Sequence, residues 1–257
     1  MRRDAGSTKA REIPLFQEAA LSFATSVREM NPFTFLRALF KGPTPRMMAA
    51  QLRKPSGVPA GKVAKRLNEV NAFLYGVVLD ELQLQPNARV LELGFGNGLT
   101  TLPLLERAPD MHYTGLDYSA AMVAAASKTF SSRIAGGRAE LHEGSSDRMP
   151  FADASFDAVF GVNTIYFWDE RDAHLREIKR VLRPGGRFFA GYRDRTSMLA
   201  LPFVQYGFTM YEPAEWEQVL TAAGFSDVRT VLREEPEREW GGVRFTVKSC
   251  CTSAVRG

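Results

Sequence analysis

The chain is short of cysteine. It has two, Cys250 and Cys251, and they are adjacent. Neighbouring cysteines rarely bridge each other, so no disulfide framework is expected. No C-x-x-C pair and no cysteine–histidine cluster with ligand spacing occurs, and no metal site is predicted. Histidine is equally scarce, with only three residues, His112, His142 and His174. His112 and His142 lie at or on strands and His174 on a helix read as a surface element, so none is a strong general base. No segment reaches the roughly 18 apolar residues of a membrane span. The basic first 14 residues lack a following apolar stretch and do not read as a secretory signal. Low cysteine use fits a reducing setting, so a cytoplasmic location is expected. No RNP, zinc-finger or helix-turn-helix signature appears, which argues against nucleic acid as a partner.

Net positive charge is also missing from most of the chain. Residues 1–66 hold 13 Lys and Arg against 4 Asp and Glu, and the rest holds 20 against 25. The whole excess of the formal +4 lies in this first quarter. A solvated basic helix face is the plain reading, and an anionic partner surface the alternative.

What is present is a strand–helix alternation. With 257 residues, 45% of them hydrophobic, the chain can bury one full α/β core. Residues 1–60 read as a helical, partly disordered extension, and residues 61–257 as the main domain. Residues 46–54 read as a helix stopped before Pro55, and 55–61 as a loop. Val63, Leu67, Val70, Phe73, Leu74, Val77, Val78 and Leu82 recur at helical spacing, predicting a helix over 62–84. Strands are expected at 89–93, 112–117, 138–143, 156–162 and 187–192, and helices at 99–107, 120–130 and 171–182. This order predicts a mostly parallel sheet covered on both faces. After an irregular stretch over 193–212 and a helix over 212–223 come two strands, 225–232 and 243–250. A short charged loop joins them, so they should pair antiparallel.

The chemistry concentrates at the first strand end, Glu92-Leu93-Gly94-Phe95-Gly96-Asn97-Gly98. A glycine turn between a first strand and a helix lets backbone approach a ligand closely. A dinucleotide fingerprint would need glycine at 99, where Leu99 stands, so a nicotinamide oxidoreductase is disfavoured. An acidic residue at 92 would suit a ligand with a cationic amino-acid part. Asp117, ending the second strand in Gly115-Leu116-Asp117-Tyr118-Ser119, can accept hydrogen bonds from ribose hydroxyls, and Tyr118 can pack on a base.

These segments resemble the class I S-adenosylmethionine-dependent methyltransferases, over roughly residues 60–250. Glu92, Gly94, Phe95, Gly96, Asn97 and Gly98 match the family's glycine-rich loop. Asp117 matches its ribose-binding acid, with Tyr118 beside it. Gly144-Ser145-Ser146-Asp147-Arg148-Met149-Pro150-Phe151 resembles the segment lying against the adenine, with Ser145 in place of the usual aspartate. Asn163 falls where strand 4 ends against the cofactor. Arg180–Gly186 resembles the family's turn before strand 5, and Ala222-Ala223-Gly224-Phe225 the turn before strand 6.

The resemblance implies a Rossmann-like seven-stranded sheet with strand 7 antiparallel, plus an N-terminal helical cap. It implies S-adenosyl-L-methionine as cofactor, a small-molecule acceptor, and methyl transfer by in-line displacement. Cofactor contacts are expected from the loop, Asp117, Tyr118, Ser145, Ser146 and Asn163. Tyr75, Tyr166 and Trp168 are candidates for the acceptor pocket, although Tyr166 and Trp168 suit packing beneath the N-terminal helices equally well. No Asp/Asn-Pro-Pro-Tyr motif points to an adenine or glutamine acceptor. A non-catalytic scaffold and an RNA methyltransferase using the basic N-terminal face are the alternatives. No residue declares itself as general base, and nothing bears on oligomeric state.

Overall fold

The computed structural model describes residues 44–56, 59–240 and 243–257, so the basic residues before 44 lie outside it. Seven strands form one sheet in the order β3-β2-β1-β4-β5-β9-β6. They are β1 (Arg89–Leu93), β2 (His112–Asp117), β3 (Ala139–Glu143), β4 (Phe156–Val162), β5 (Leu182–Arg193), β6 (Phe225–Glu234) and β9 (Lys248–Arg256). β1 to β5 pair in parallel, and β9 runs antiparallel between β5 and β6. The seventh strand of the sheet is therefore antiparallel, as expected.

Alternation along β1 divides the core in two. Leu91 and Leu93 face one side, where α6 (Arg171–Val181) and α8 (Pro213–Ala222) contribute Leu175, Ile178, Val181, Trp216 and Leu220. Val90 joins the other side. There α2 (Pro59–Glu81) brings Leu74 and Val78, and α3 (Leu102–Arg107) brings Leu104 and Leu105. The helix α4 (Ala120–Thr129) adds Ala126 to that face, and the short α5 (Ser131–Ala135) follows it. α2 lies close against β5, since a Cβ on Gly191 would stand 2.5 Å from Val78 Cγ2. Among the described residues, no helix is long and apolar enough to cross a membrane.

Three expectations need correction. The last strand is Lys248–Arg256, not 243–250. Its run of Ser, Cys, Thr and Ala shows no apolar alternation, because burial on both faces removes the period-two pattern. Val243–Phe245 (β8) instead pairs with Arg238–Trp240 (β7) in a separate two-stranded ribbon. The helix expected at 99–107 begins at Leu102, because Pro103 suits a first turn and the chain before it is still leaving the glycine loop. The stretch over 193–212 contains a short helix, α7 (Arg195–Met198), capped by Asp194, whose carboxylate accepts from Ser197 N at 3.0 Å.

Candidate cofactor site

Strand order reverses between β1 and β4, so their carboxyl ends open the crevice where ligands of open α/β sheets bind. Gly94, Gly96 and Gly98 all carry positive φ, at 71°, 60° and 78°. Two of them are packed. A Cβ on Gly94 would lie 2.6 Å from Thr164 Cγ2, and one on Gly98 2.6 Å from the Phe130 ring. At Gly96 a Cβ would meet nothing within 4 Å, so the loop has open space beside its middle glycine.

The loop is pinned on both sides. Asp117 accepts from Gly96 N at 2.9 Å and from Ser119 N at 2.8 Å. Burial pushes its pKa up to about 6, against the pull of those two amides. Asn97 caps the chain locally through Leu99 N at 3.2 Å, and its carbonyl accepts from Thr129 Oγ1 at 2.9 Å. Phe95 turns its ring into the core against Gly115, which leaves its backbone as the part facing the loop.

Glu92 departs from the expectation of an open acid. It is 0% exposed, and three hydroxyls donate to it: Tyr75 at 2.9 Å, Thr101 at 2.7 Å and Tyr113 at 2.8 Å. Burial drives its pKa up to about 7 in spite of these donors. Tyr75 is thereby committed to Glu92, and burial beside that carboxylate raises its own pKa.

The turn after β2 is covered by α1 (Pro45–Arg53) and the residues following it. Ser119 Oγ donates to Pro55 O at 2.6 Å, and Lys54 Nζ stands 3.7 Å above the Tyr118 ring. Arg53 pairs with Asp169, beyond the end of β4. The segment 53–56 thus bridges the loops after β2 and β4.

The loop after β3 is held by α6. Ser146 Oγ and His174 Nδ1 are 2.7 Å apart. Glu177 accepts from Met149 N at 2.7 Å, and Arg180 donates to the carbonyls of Met149 and Phe151 at 3.1 and 2.7 Å. His174 is therefore no surface residue. It is 7% exposed, stacks on Trp168 with 4.9 Å between ring centroids, and has its pKa lowered by burial. The spacing 174, 177, 180 brings all three toward one helix face, a pattern the sequence contains but whose partners in the loop after β3 it does not name.

Tyr166 and Trp168 are core residues at 2% and 6% exposure. The Tyr166 hydroxyl accepts from Arg193 N at 2.5 Å and donates to Arg193 O at 3.0 Å. Trp168 lies between His174 and Trp216. Asn163 follows β4 at φ 59°, and its Oδ1 is buried without a hydrogen-bond partner among the described residues. Ser145 lends its carbonyl to Arg148 N at 3.2 Å.

The chain matches a methyltransferase domain family over residues 91–190. The uncharacterised methyltransferase YdaC of Bacillus subtilis is 29% identical over 158 residues, 62% of this chain and 82% of that protein. A fatty-acid O-methyltransferase of Mycolicibacterium smegmatis is 31% identical over 169 residues, covering 66% of this chain and 54% of its own length. The chain thus spans about half of that relative. Among solved structures, a Haemonchus contortus phosphoethanolamine N-methyltransferase in complex with S-adenosylhomocysteine has a similar fold. Its TM-score is 0.62 at 13% identity, with 84% of this chain and 61% of that chain covered.

Proposed function

From the premise that this chain belongs to the class I S-adenosylmethionine-dependent methyltransferases, we propose that it methylates a small organic acceptor bound over the ends of β4 and β5. One observation carries the placement of the cofactor. At the switch point, Asp117 holds the amide of Gly96 beside open space, which suits a ribose between a carboxylate and a glycine backbone. Gly94, Gly96, Asn97 and Gly98 shape the backbone around it, Phe95 lends its main chain, and Tyr118 borders the base. Ser145 and Ser146 lie in the loop against the base, and α6 holds that loop through His174, Glu177 and Arg180.

When bound, S-adenosylmethionine supplies an electrophilic methyl group on a sulfonium. The chain's own task is then alignment at near-attack distance and exclusion of water. The side chains available for water exclusion are apolar. Phe167, Phe203 and Phe208 cluster with Tyr166 beyond β4, and Met48 and Leu52 of α1 pack on the same core. An acceptor with a substantial apolar part fits this cover. Tyr75 and Tyr166, whose hydroxyls are bonded and whose pKa values burial raises, are poor bases. An acceptor that is nucleophilic without deprotonation at neutral pH suits the site best.

We place the protein in the cytoplasm on its cysteine usage, and we take residues 1–60 as an extension of the domain at 61–257. Of that extension α1 is described, and it packs on the domain through Ala49, buried in the main core. The test is calorimetric titration with S-adenosylhomocysteine. Wild type should bind at micromolar concentration, and Asp117→Ala should weaken binding at least about tenfold, or ~1.4 kcal/mol. Well-folded wild type that does not bind would sink this reading.

A further inference from the structure

We propose that α1 and the segment joining α7 to α8 form a docking surface for an anionic lipid bilayer. The surface is separate from the cofactor contacts above. Resting on the methyltransferase reading, it names the bilayer as the place from which an acceptor with an apolar part is drawn.

Charge selects the surface. Residues 30–68 hold eight Lys and Arg and no Asp or Glu. Residues 195–211 hold one Arg and again no Asp or Glu. The fold brings these two acid-free stretches together. Met48 and Leu52 of α1 pack on the same core as Leu201 and Phe208 of the later segment. A Cβ on Gly207 would stand 3.8 Å from Arg53 Nη1. Asp169 reaches the surface from beyond β4 and offsets one charge, by pairing with Arg53.

The outer face of α1 has the composition of a helix that lies at a membrane interface. Ala49 is buried and Met48 and Leu52 are half-buried, whereas Arg46, Met47, Ala50 and Arg53 are exposed. The spacing 46, 47, 50, 53 keeps the exposed set on one side of the helix. Met47 is 59% exposed, and Leu199 and Tyr206 on the later segment are 55% and 42% exposed. Single exposed apolar residues are ordinary. Here three of the seven large ones among the described residues fall on these two short stretches.

An RNA would meet the basic residues but leave Met47, Leu199 and Tyr206 in water. A bilayer uses both kinds. Its headgroup phosphates attract Lys and Arg, and apolar side chains enter the boundary beneath them. The position also suits the reaction. Residues 53–56 bridge the loops after β2 and β4, so α1 lies over the carboxyl ends of the sheet. A bilayer against its outer face stands on the acceptor's side of the molecule.

The experiment sediments the full chain with vesicles of phosphatidylcholine, alone or with phosphatidylglycerol added. S-adenosylhomocysteine affinity is measured on the same proteins by calorimetry. Wild type should sediment with the anionic vesicles and not with the neutral ones. Raising salt from about 0.05 M to about 0.5 M should weaken this binding at least about tenfold. Arg46→Glu, Met47→Glu and Tyr206→Glu should each lower the vesicle partition at least about fivefold. Their affinity for S-adenosylhomocysteine should stay as in wild type. Leu232→Glu adds the same charge on β6, at the far edge of the sheet, and should leave the partition unchanged. Wild type that ignores anionic vesicles overturns the inference. So does an equal loss in Leu232→Glu, which would make net charge the cause, or full binding in all three surface variants. Polyuridylate that strips the protein from vesicles, with a strength unmoved by Met47→Gln, would assign the basic residues to RNA and overturn it as well. Vesicle binding without S-adenosylhomocysteine binding would remove the methyltransferase reading and leave the docking surface standing. The reverse result would refute the surface alone.

Discussion

At the scale of single residues, Glu92 shows how far identity and role can separate. The sequence places a carboxylate at the end of the first strand, and a cationic ligand follows as the simplest partner. The fold surrounds that carboxylate with three hydroxyls from three other places in the chain. None of these pairings has a local signature, because Tyr75, Thr101 and Tyr113 meet only once helix, loop and sheet are assembled. The burial has a consequence for pH. The folded pKa, about 7, lies above the ordinary 4.5. The contribution of Glu92 to stability is therefore complete below pH 4.5 and is lost as pH rises through about 7. Urea unfolding of the cofactor-free protein should show wild type losing stability relative to Glu92→Gln across that interval. The loss should be on the order of 3 kcal/mol. A difference that stays flat with pH would mean that Glu92 is already ionised in the fold.

At the scale of elements, the glycine loop and the grip of α6 are the informative pieces. The three glycines were legible as a turn, since only glycine takes repeated positive φ cheaply. Their differing surroundings were not. Gly98→Ala combines an unfavourable φ with a clash against the buried Phe130 ring, 2.6 Å from the added carbon. Gly96→Ala meets only the φ penalty, because nothing lies near it. Denaturant midpoints should therefore fall further for Gly98→Ala than for Gly96→Ala, by roughly 1–3 kcal/mol. Equal losses would show that the Phe130 ring yields freely. The grip of α6 on the loop after β3 was hidden for a different reason. His174, Glu177 and Arg180 are polar, and a polar helix face reads as solvated unless its partners are known. Here the partners are backbone groups of residues 149 and 151 and a serine.

At the scale of the whole molecule, a buried ion pair between the end of β5 and the residue after β6 is also hydrogen-bonded to α2. Arg193, at the end of β5, donates to Glu235 at 2.5 Å, to Asn71 Oδ1 at 3.0 Å and to Val70 O at 2.9 Å. Ser249 donates to the same Glu235 oxygen at 2.7 Å. The Arg193 and Glu235 side chains are 8% and 0% exposed. Removing one charge leaves the other buried and unpaired, so Glu235→Ala should cost about 3–5 kcal/mol of unfolding free energy. The double variant Arg193→Met, Glu235→Leu should recover much of that loss. A double variant as unstable as the single one would show that the hydrogen bonds to α2, not the charges, carry the cost.

The main alternation of strands and helices, the glycine loop and the resemblance to a family were legible in the sequence alone, through apolar periodicity, glycine punctuation and short motifs that act within a few residues of each other. An antiparallel last strand was expected from a short loop, and the pairing is antiparallel, but the connection over 235–247 is longer and carries the β7–β8 ribbon; the strand's bounds were displaced because a strand buried on both faces carries no alternation. What only the tertiary structure decided was which polar groups meet. Tyr166 and Trp168 became core, His174 became a clamp, Glu92 was enclosed, and Asn163 was left with an unanswered acceptor. Periodicity records which face a side chain takes. Hydrogen-bond partners depend on distance in space, which joins residues that the chain holds far apart.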